Sequence, residues 1–323
     1  MRAAFVLAIL LGAASGFAAS AQSERFSIQG TEYVRLDQWA RANSYQWKWT
    51  SKNDVSVWNG SNKMQFTTDS KKMTLNGVAI LLSEAVRNQN GAPGIASIDL
   101  GTAINPVLFP PRNPPRDRIK HICIDAGHGG KDTGYVVGRE PEKKYTLLLA
   151  QELGEQLRKA GYTVSFTRTG DTFVDLPVRP DIARRRGADL LISLHFNSAG
   201  HTSSEVRGVE VYCMTPARAS STNARGVGGS SGSFPGNSNN AKNMLLAYQI
   251  QKSVTQGTGL EDRGVKRARF QVLREAVMPA VLIEAGFMSN PSEAKKIYSA
   301  AWRKQTAQAI AAGIGNYRKI VER

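Results

Sequence analysis

Cysteine is nearly absent: the chain of 323 residues holds Cys123 and Cys213 and no other. That excludes a small fold stapled by a disulfide framework and leaves one bridge at most. Both residues sit inside apolar, strand-like runs, HICID and VEVYC, where a buried, unreactive thiol is expected. A single bridge between them is the alternative.

Acidic residues are the second shortage, since 26 Asp and Glu against 42 Lys and Arg leave a formal net charge of +16. Such a balance favours contact with polyanions. No helix-turn-helix, zinc-finger or RNA-recognition signature accompanies the charge, so nucleic acid is set aside in favour of anionic envelope polymers or lipid headgroups. Phosphate cradles are missing too: neither GxxxxGK[ST] nor GxGxxG occurs. No internal repeat is evident.

A long apolar run is also lacking. The opening stretch MRAAFVLAILLGAASGFAASAQS is diluted by Gly12, Ser15 and Gly16 and falls short of the roughly 20 residues that a spanning helix needs. Arg2 before it and Ala19, Ser20 and Ala21 after it fit a cleaved export signal over residues 1–21. The chain is therefore expected to work outside the cytoplasm, in the periplasm or cell envelope, with no transmembrane segment after cleavage.

What is present suits two domains, for 41% apolar residues can bury a core. Residues 25–108 read as short strands (FSIQG, EYVRL, YQWKWT, DVSVWNG, KMQFTT, KKMTLNGVAILL) broken by Asn-Gly and Ser-Asn turns, with one helical stretch, LDQWARAN. Trp39, Trp47, Trp49 and Trp58 fall here without a clustered His, Cys or acid set. A small binding or positioning domain is expected, with the tryptophans as its core in the plainer reading. It resembles the β-rich domain named after the N-terminal region of copper amine oxidases, a name that implies no copper.

NPVLFPPRNPPRDR, residues 105–118, carries five prolines and predicts a stiff, extended linker, assigned to residues 109–118. From residue 119 to 323 strands alternate with helices. That pattern predicts an α/β fold: a mostly parallel sheet with helices on both faces, preceded by the small β-rich domain. Residues 216–240 break it, being rich in Gly, Ser and Asn, and predict a mobile excursion outside the fold. The Gly228-Gly229-Ser230-Ser231-Gly232 string matches the nucleophile elbow of serine hydrolases, but that device needs a strand before it and a helix after it, and a polar tract supplies neither.

Ligands of open parallel sheets bind beyond the carboxyl ends of the strands. His128 follows the strand IKHICIDAG, His195 ends ADLLISLH, Glu284 ends PAVLIE, and Glu142 lies in the first turn of the helix after the Gly-rich loop IDAGHGGKDTG. Two imidazoles and a carboxylate, with a position left for water, make the donor set of a catalytic zinc site, and a further carboxylate can act as base. Each residue also has a plainer role: an exposed histidine, a hydrogen-bonded strand-end histidine, an acid favouring a helix N-terminus, a buried acid paired with an arginine. Spacing leaves both readings open.

The runs IDAGHGGKDTG, EKKYTLLLAQEL, ADLLISLHFN, DRGVKRARFQVLRE and MPAVLIEAGFMSNP, in this order, resemble the zinc-dependent N-acetylmuramoyl-L-alanine amidases of the amidase 3 type over about residues 119–320. The resemblance implies Zn2+ held by His128, Glu142 and His195, Glu284 as the catalytic carboxylate, and peptidoglycan as substrate, cut between N-acetylmuramic acid and the L-alanine of the stem peptide. Ala126 stands where proline is usual and Ala285 where leucine is common; neither change removes a ligand. Two further functions share parts of this pattern, a non-catalytic peptidoglycan-binding protein and a stem-peptide carboxypeptidase. Asp125 is expected to orient a ligand and Asn197 to bind substrate. The loop glycines are expected to turn the backbone and leave room beside His128. Lys266, Arg267, Arg269 and Arg274 are expected to form a basic surface near the catalytic face.

Overall fold

A computed structural model describes residues 23–200, 204–222 and 232–323. The expected export signal over residues 1–21 and nearly all of the Gly228–Gly232 string lie outside the described residues. Among the described residues no helix is long and apolar enough to cross a membrane.

The alternating patterns of the first part become short antiparallel strands. β1 (Arg25–Ile28) and β2 (Thr31–Arg35) pair, and α1 (Leu36–Ala42) follows. β3 (Gln46–Trp49), β4 (Asp54–Trp58), β5 (Lys63–Thr67), β6 (Lys72–Leu75) and β7 (Val78–Leu81) form a meander. β8 (Arg87–Gln89) and β9 (Ala92–Ala96) return to the first hairpin and complete a four-stranded sheet. The helical turns α2 (Ser97–Asp99) and α3 (Asn105–Leu108) follow, so the first of the five linker prolines, Pro106, is helical, and residues 109–118 have no regular structure.

The second part alternates as its sequence predicts: β10 (His121–Ala126), the small hairpin β11 (Val136–Val137) and β12 (Glu140–Pro141), α4 (Glu142–Lys159), β13 (Thr163–Phe166), α5 (Val178–Arg185), β14 (Leu190–Asn197), β15 (Val209–Met214), α6 (Asn240–Thr258), β16 (Asp262–Ala268), α7 (Gln271–Arg274), β17 (Ala280–Phe287), α8 (Pro291–Tyr298) and α9 (Ala300–Val321). β13, β10, β14 and β17 are parallel neighbours, and β15 runs antiparallel to β17. α4, α6 and α9 contribute to the larger core, while residues of α5 and α7 pack in a second cluster with Cys123, Leu191 and Tyr212.

The two parts share one sheet. Its order is β13-β10-β14-β17-β15-β16-β7-β6-β5-β4-β3, joined where Val265 of β16 pairs in parallel with Ile80 of β7. A single cross-strand row runs Trp49, Val55, Phe66, Met73, Ile80, Val265, Val211, Ile283, Leu194, Ala126. All of these lie in or against one hydrophobic cluster, because side chains alternate between sheet faces and this row points to the core throughout. Their chain neighbours face the other way.

A buried ion pair crosses the same seam. The Arg267 guanidinium donates to Asp99 at 3.0 Å, to Ser83 at 2.9 Å and to Thr102 at 3.0 Å, and Asp99 also accepts the backbone N–H groups of Ser83 and Glu84. Arg267 is therefore interior, which corrects its place in the expected basic surface: a guanidinium so deep is held only because charge and hydrogen bonds are both met.

The excursion is shorter than its composition suggests. Residues 235–239 form a 3-10 turn leading into α6, Phe234 packs against the second core, and Gly236 lies where a Cβ would come within 2.0 Å of the Leu273 carbonyl oxygen. On the other side Arg269 donates to the carbonyls of Pro216 and Ala219. Both ends thus belong to the fold, since one aromatic and a few satisfied backbone groups anchor an otherwise polar stretch; residues 223–231 are outside the described residues.

Candidate active site

Three strands and one helix deliver the predicted residues to a single pocket of about 340 Å³, which His128, Glu142, His195 and Glu284 all line. His195 and Glu284 are cross-strand partners on β14 and β17, and Glu142 is the first residue of α4. One ligand atom from each of His128, Glu142 and His195 lies within 4.8 Å of the others. His128 Nε2 is 3.1 Å and His195 Nδ1 3.2 Å from Glu142 Oε1, and the imidazoles meet edge to face at 4.9 Å.

Glu142 is held by more than the histidines. Its carboxylate accepts the N–H of Phe196 and of Tyr135, each at 3.0 Å. Burial raises its pKa, but hydrogen bonds from His128 and His195 outweigh that and hold it far below the usual carboxylate range. It is a carboxylate fixed in charge and position. His128 responds in the opposite sense: burial lowers its pKa, whereas Glu142 and Asp132 raise it more.

The glycines serve approach as much as turning. A Cβ on Gly127 would fall 2.3 Å from His195 Cε1, inside the imidazole itself. Gly134, at φ +63°, would place one 2.6 Å from Glu142 Oε2 and 2.7 Å from His128 Cδ2. His128 adopts φ 62°, an uncommon conformation for a side chain that size and a local strain that the loop sustains.

Glu284 has quite different surroundings. It opens onto the pocket, yet its Oε2 is buried with no hydrogen-bond partner. Burial, and then the nearby carboxylates of Glu142 and Glu210, push its pKa well above the ordinary range. Glu210, its other cross-strand partner, is the satisfied member of the pair: Arg263, Lys266, Tyr212 and Asn197 all donate to it. Asn197 lines the pocket with its amide committed to Glu210.

Asp125 makes no hydrogen bond to either imidazole. It accepts from Thr167 at 2.6 Å, Ser193 at 2.7 Å and Arg179 at 2.9 Å. Arg179 in turn donates to the carbonyls of Ala126 and His128, and Arg168 to those of Ala126 and Gly127. The residue that meets the His128 ring is Asp132, 2.8 Å from Nδ1. Sequence reading missed Arg168, Arg179 and Asp132. Arg168 lies just past the carboxyl end of β13, where the strand-end rule applied to the other strands would have found it.

The remaining basic residues are also occupied. Lys266 pairs with Glu210, Arg269 holds the 216–221 loop, and Arg274 pairs with Glu275 and lies over the Phe234 ring at 4.9 Å. Their segment nevertheless reaches the site, because Phe270, Gln271 and Val272, directly after β16, line the pocket. Cys123 and Cys213 are free and buried, and burial pushes both thiols up to about 11.

Residues 122–316 match the Amidase_3 family model, described as N-acetylmuramoyl-L-alanine amidase. The chain is 36% identical over 222 residues to the N-acetylmuramoyl-L-alanine amidase AmiC of Neisseria meningitidis, covering 61% of this chain and 52% of that one. To the amidase LytC of Bacillus subtilis it is 34% identical over 196 residues, covering 61% and 35%. The chain thus spans about half the length of the first relative and about a third of the second. Among solved structures, the catalytic domain of the amidase CwlV from Bacillus (Paenibacillus) polymyxa var. colistinus superimposes with a TM-score of 0.52 at 32% identity, covering 62% of this chain and 99% of that one.

Proposed function

This chain belongs to the N-acetylmuramoyl-L-alanine amidase family, and on that premise we propose that it hydrolyses the amide between N-acetylmuramic acid and the L-alanine of the stem peptide of peptidoglycan. The observation that carries the reading is the convergence of His128, Glu142 and His195 within 4.8 Å beside a buried carboxyl oxygen of Glu284 that has no partner. In this reading residues 119–323 perform the reaction, residues 25–108 bind or position, and residues 1–21 direct export to the periplasm or cell envelope.

The donor set fits zinc: two imidazole nitrogens and one ionised carboxylate, with His128 oriented from behind by Asp132 and Glu142 by the backbone N–H groups of Phe196 and Tyr135. Bound there, the ion would polarise the amide carbonyl and lower the pKa of a water to about 7. Glu284 takes the proton of the attacking water on its unpartnered oxygen and returns it to the departing amine nitrogen. Burial and the nearby carboxylates of Glu142 and Glu210 favour its protonated form, the form that returns the proton to the amine. Glu142, whose proton affinity is low, cannot exchange that role with it. Tyr135 and Asn197 line the same pocket.

The test is digestion of purified sacculi by the mature protein with and without a chelator, with released fragments identified by mass. Intact stem peptides beginning at alanine are expected, and chelation is expected to stop their release. Shortened stems would favour the carboxypeptidase, and retention on sacculi without any release the non-catalytic binder.

A further inference from the structure

We propose that the polar face of β3–β6 is a docking surface for a peptidoglycan strand, lying on the same face of the same sheet as the catalytic residues. The proposal deepens the substrate reading above and rests on it for the identity of the polymer. Residues one step from the apolar row point away from the core: His195, Glu284 and Glu210 at one end, and Ala79, Thr74, Gln65, Ser56 and Lys48 at the other, each set joined by direct cross-strand pairing. From β17 to β4 the sheet advances by six strand spacings, roughly 29 Å along its surface.

At the far end this face holds a groove of about 580 Å³ whose lining includes Lys48, Trp58, Asn59, Lys63, Gln65 and Asn76. Trp58 is the aromatic exception on a polar face: it is half-buried between its exposed cross-strand partners Gln46 and Lys63, while Trp47 and Trp49 turn to the core. Lys48 Nζ lies 5.7 Å from its ring centroid. An aromatic face offers a platform for the C–H face of a sugar ring, and side-chain amides suit hydroxyl and acetamido groups. Lys48 and Lys63 complement the free carboxylates of stem peptides, and no carboxylate lines the groove. Asp54, on the same face of β4, is taken up by Ser51 and Thr67. A strand seated there raises the local concentration of further stems at the pocket without any new contact at the reacting bond.

The test uses the full chain. Trp58→Ala and Lys48→Glu/Lys63→Glu are compared with the parent for retention on sacculi, in a Glu284→Gln background so that the polymer persists, and for turnover of a small soluble muropeptide with Glu284 intact. Expected is a loss of retention of at least about tenfold for both variants, an unchanged thermal midpoint and an unchanged muropeptide rate. Retention of glycan chains stripped of stem peptides should depend on Trp58 and not on the lysines. Retention unaffected by either variant, or a parent that does not bind sacculi, overturns the proposal. A parent that binds through Trp58 but cuts nothing leaves the docking surface standing and sinks the amidase reading instead.

Discussion

Asp125, next to last in β10, and Glu284, within β17, are carboxylates that line one pocket, and their surroundings are opposite. Around Asp125 every demand is met: two hydroxyls and a guanidinium donate to it, and the arginine passes its grip on to the carbonyls of the His128 loop. Around Glu284 one oxygen is buried without a donor and two further carboxylates stand near. A satisfied buried acid holds structure; an unsatisfied one calls for another reason to be there, and proton transfer is the role proposed for Glu284. The contrast separates scaffold from chemistry where burial and position do not.

The sharpest way to break the contrast is Glu284→Gln. Turnover is expected to fall by about 10²–10⁴, with metal content, measured by elemental analysis, unchanged. Because the folded pKa of Glu284 is raised, its buried charge opposes folding once pH rises above the unfolded value of about 4.3. The metal-free variant should therefore be at least as stable as the parent at neutral pH. A destabilised variant, or one keeping most of its rate, would place Glu284 with Asp125.

Asp125→Asn should do the reverse. Burial raises the Asp125 pKa, but Arg179, Thr167 and Ser193 outweigh it and leave the carboxyl below its usual range. Removing the charge leaves Arg179 buried and unpaired, a loss of about 3–5 kcal/mol. With a depressed folded pKa, the carboxylate stabilises above the unfolded value of about 3.9 and loses that contribution as pH falls through the folded pKa. Denaturation followed across pH should show the gap between parent and variant narrowing below about pH 4. A constant gap would mean that the charge is not what matters.

A smaller effect sharpens the boundary between the two kinds of acid. Asp132 touches the ring of a proposed ligand without lining up as a ligand itself. Asp132→Asn should weaken zinc affinity by about 10–100-fold while turnover at saturating zinc changes little. Competition with a chromogenic chelator measures the first, and zinc-saturated kinetics the second.

The second half of the molecule was legible because strand-end rules and helix periodicity act locally: His128, Glu142, His195 and Glu284 could be placed at one sheet edge before any contact was known. Asp132 and Arg179 were not, since what they do depends on which loop folds over which. Arg267 looked like a surface cation in RARFQVLR, and only the pairing of β16 with β7 puts Asp99 beside it. That union of two regions into one sheet is a long-range pairing, and alternation within a strand says which residues share a face but not which strand comes next.

The smallest expected effect concerns buried groups that make no demand. Cys123 and Cys213 are interior, and burial is the main cause that raises both thiols to about 11, with Asp125 adding to it for Cys123. A neutral thiol in an apolar setting needs no partner, so it belongs with neither Asp125 nor Glu284. Reductant should leave the thermal midpoint unmoved, because no bridge exists to break. An alkylating reagent at neutral pH should modify neither cysteine in the native protein and both after denaturation, as mass measurement would report. Rapid native labelling of Cys123, which lies two residues before Asp125 on β10, would show that this strand opens, and the satisfied network around Asp125 would then be less rigid than its hydrogen bonds imply.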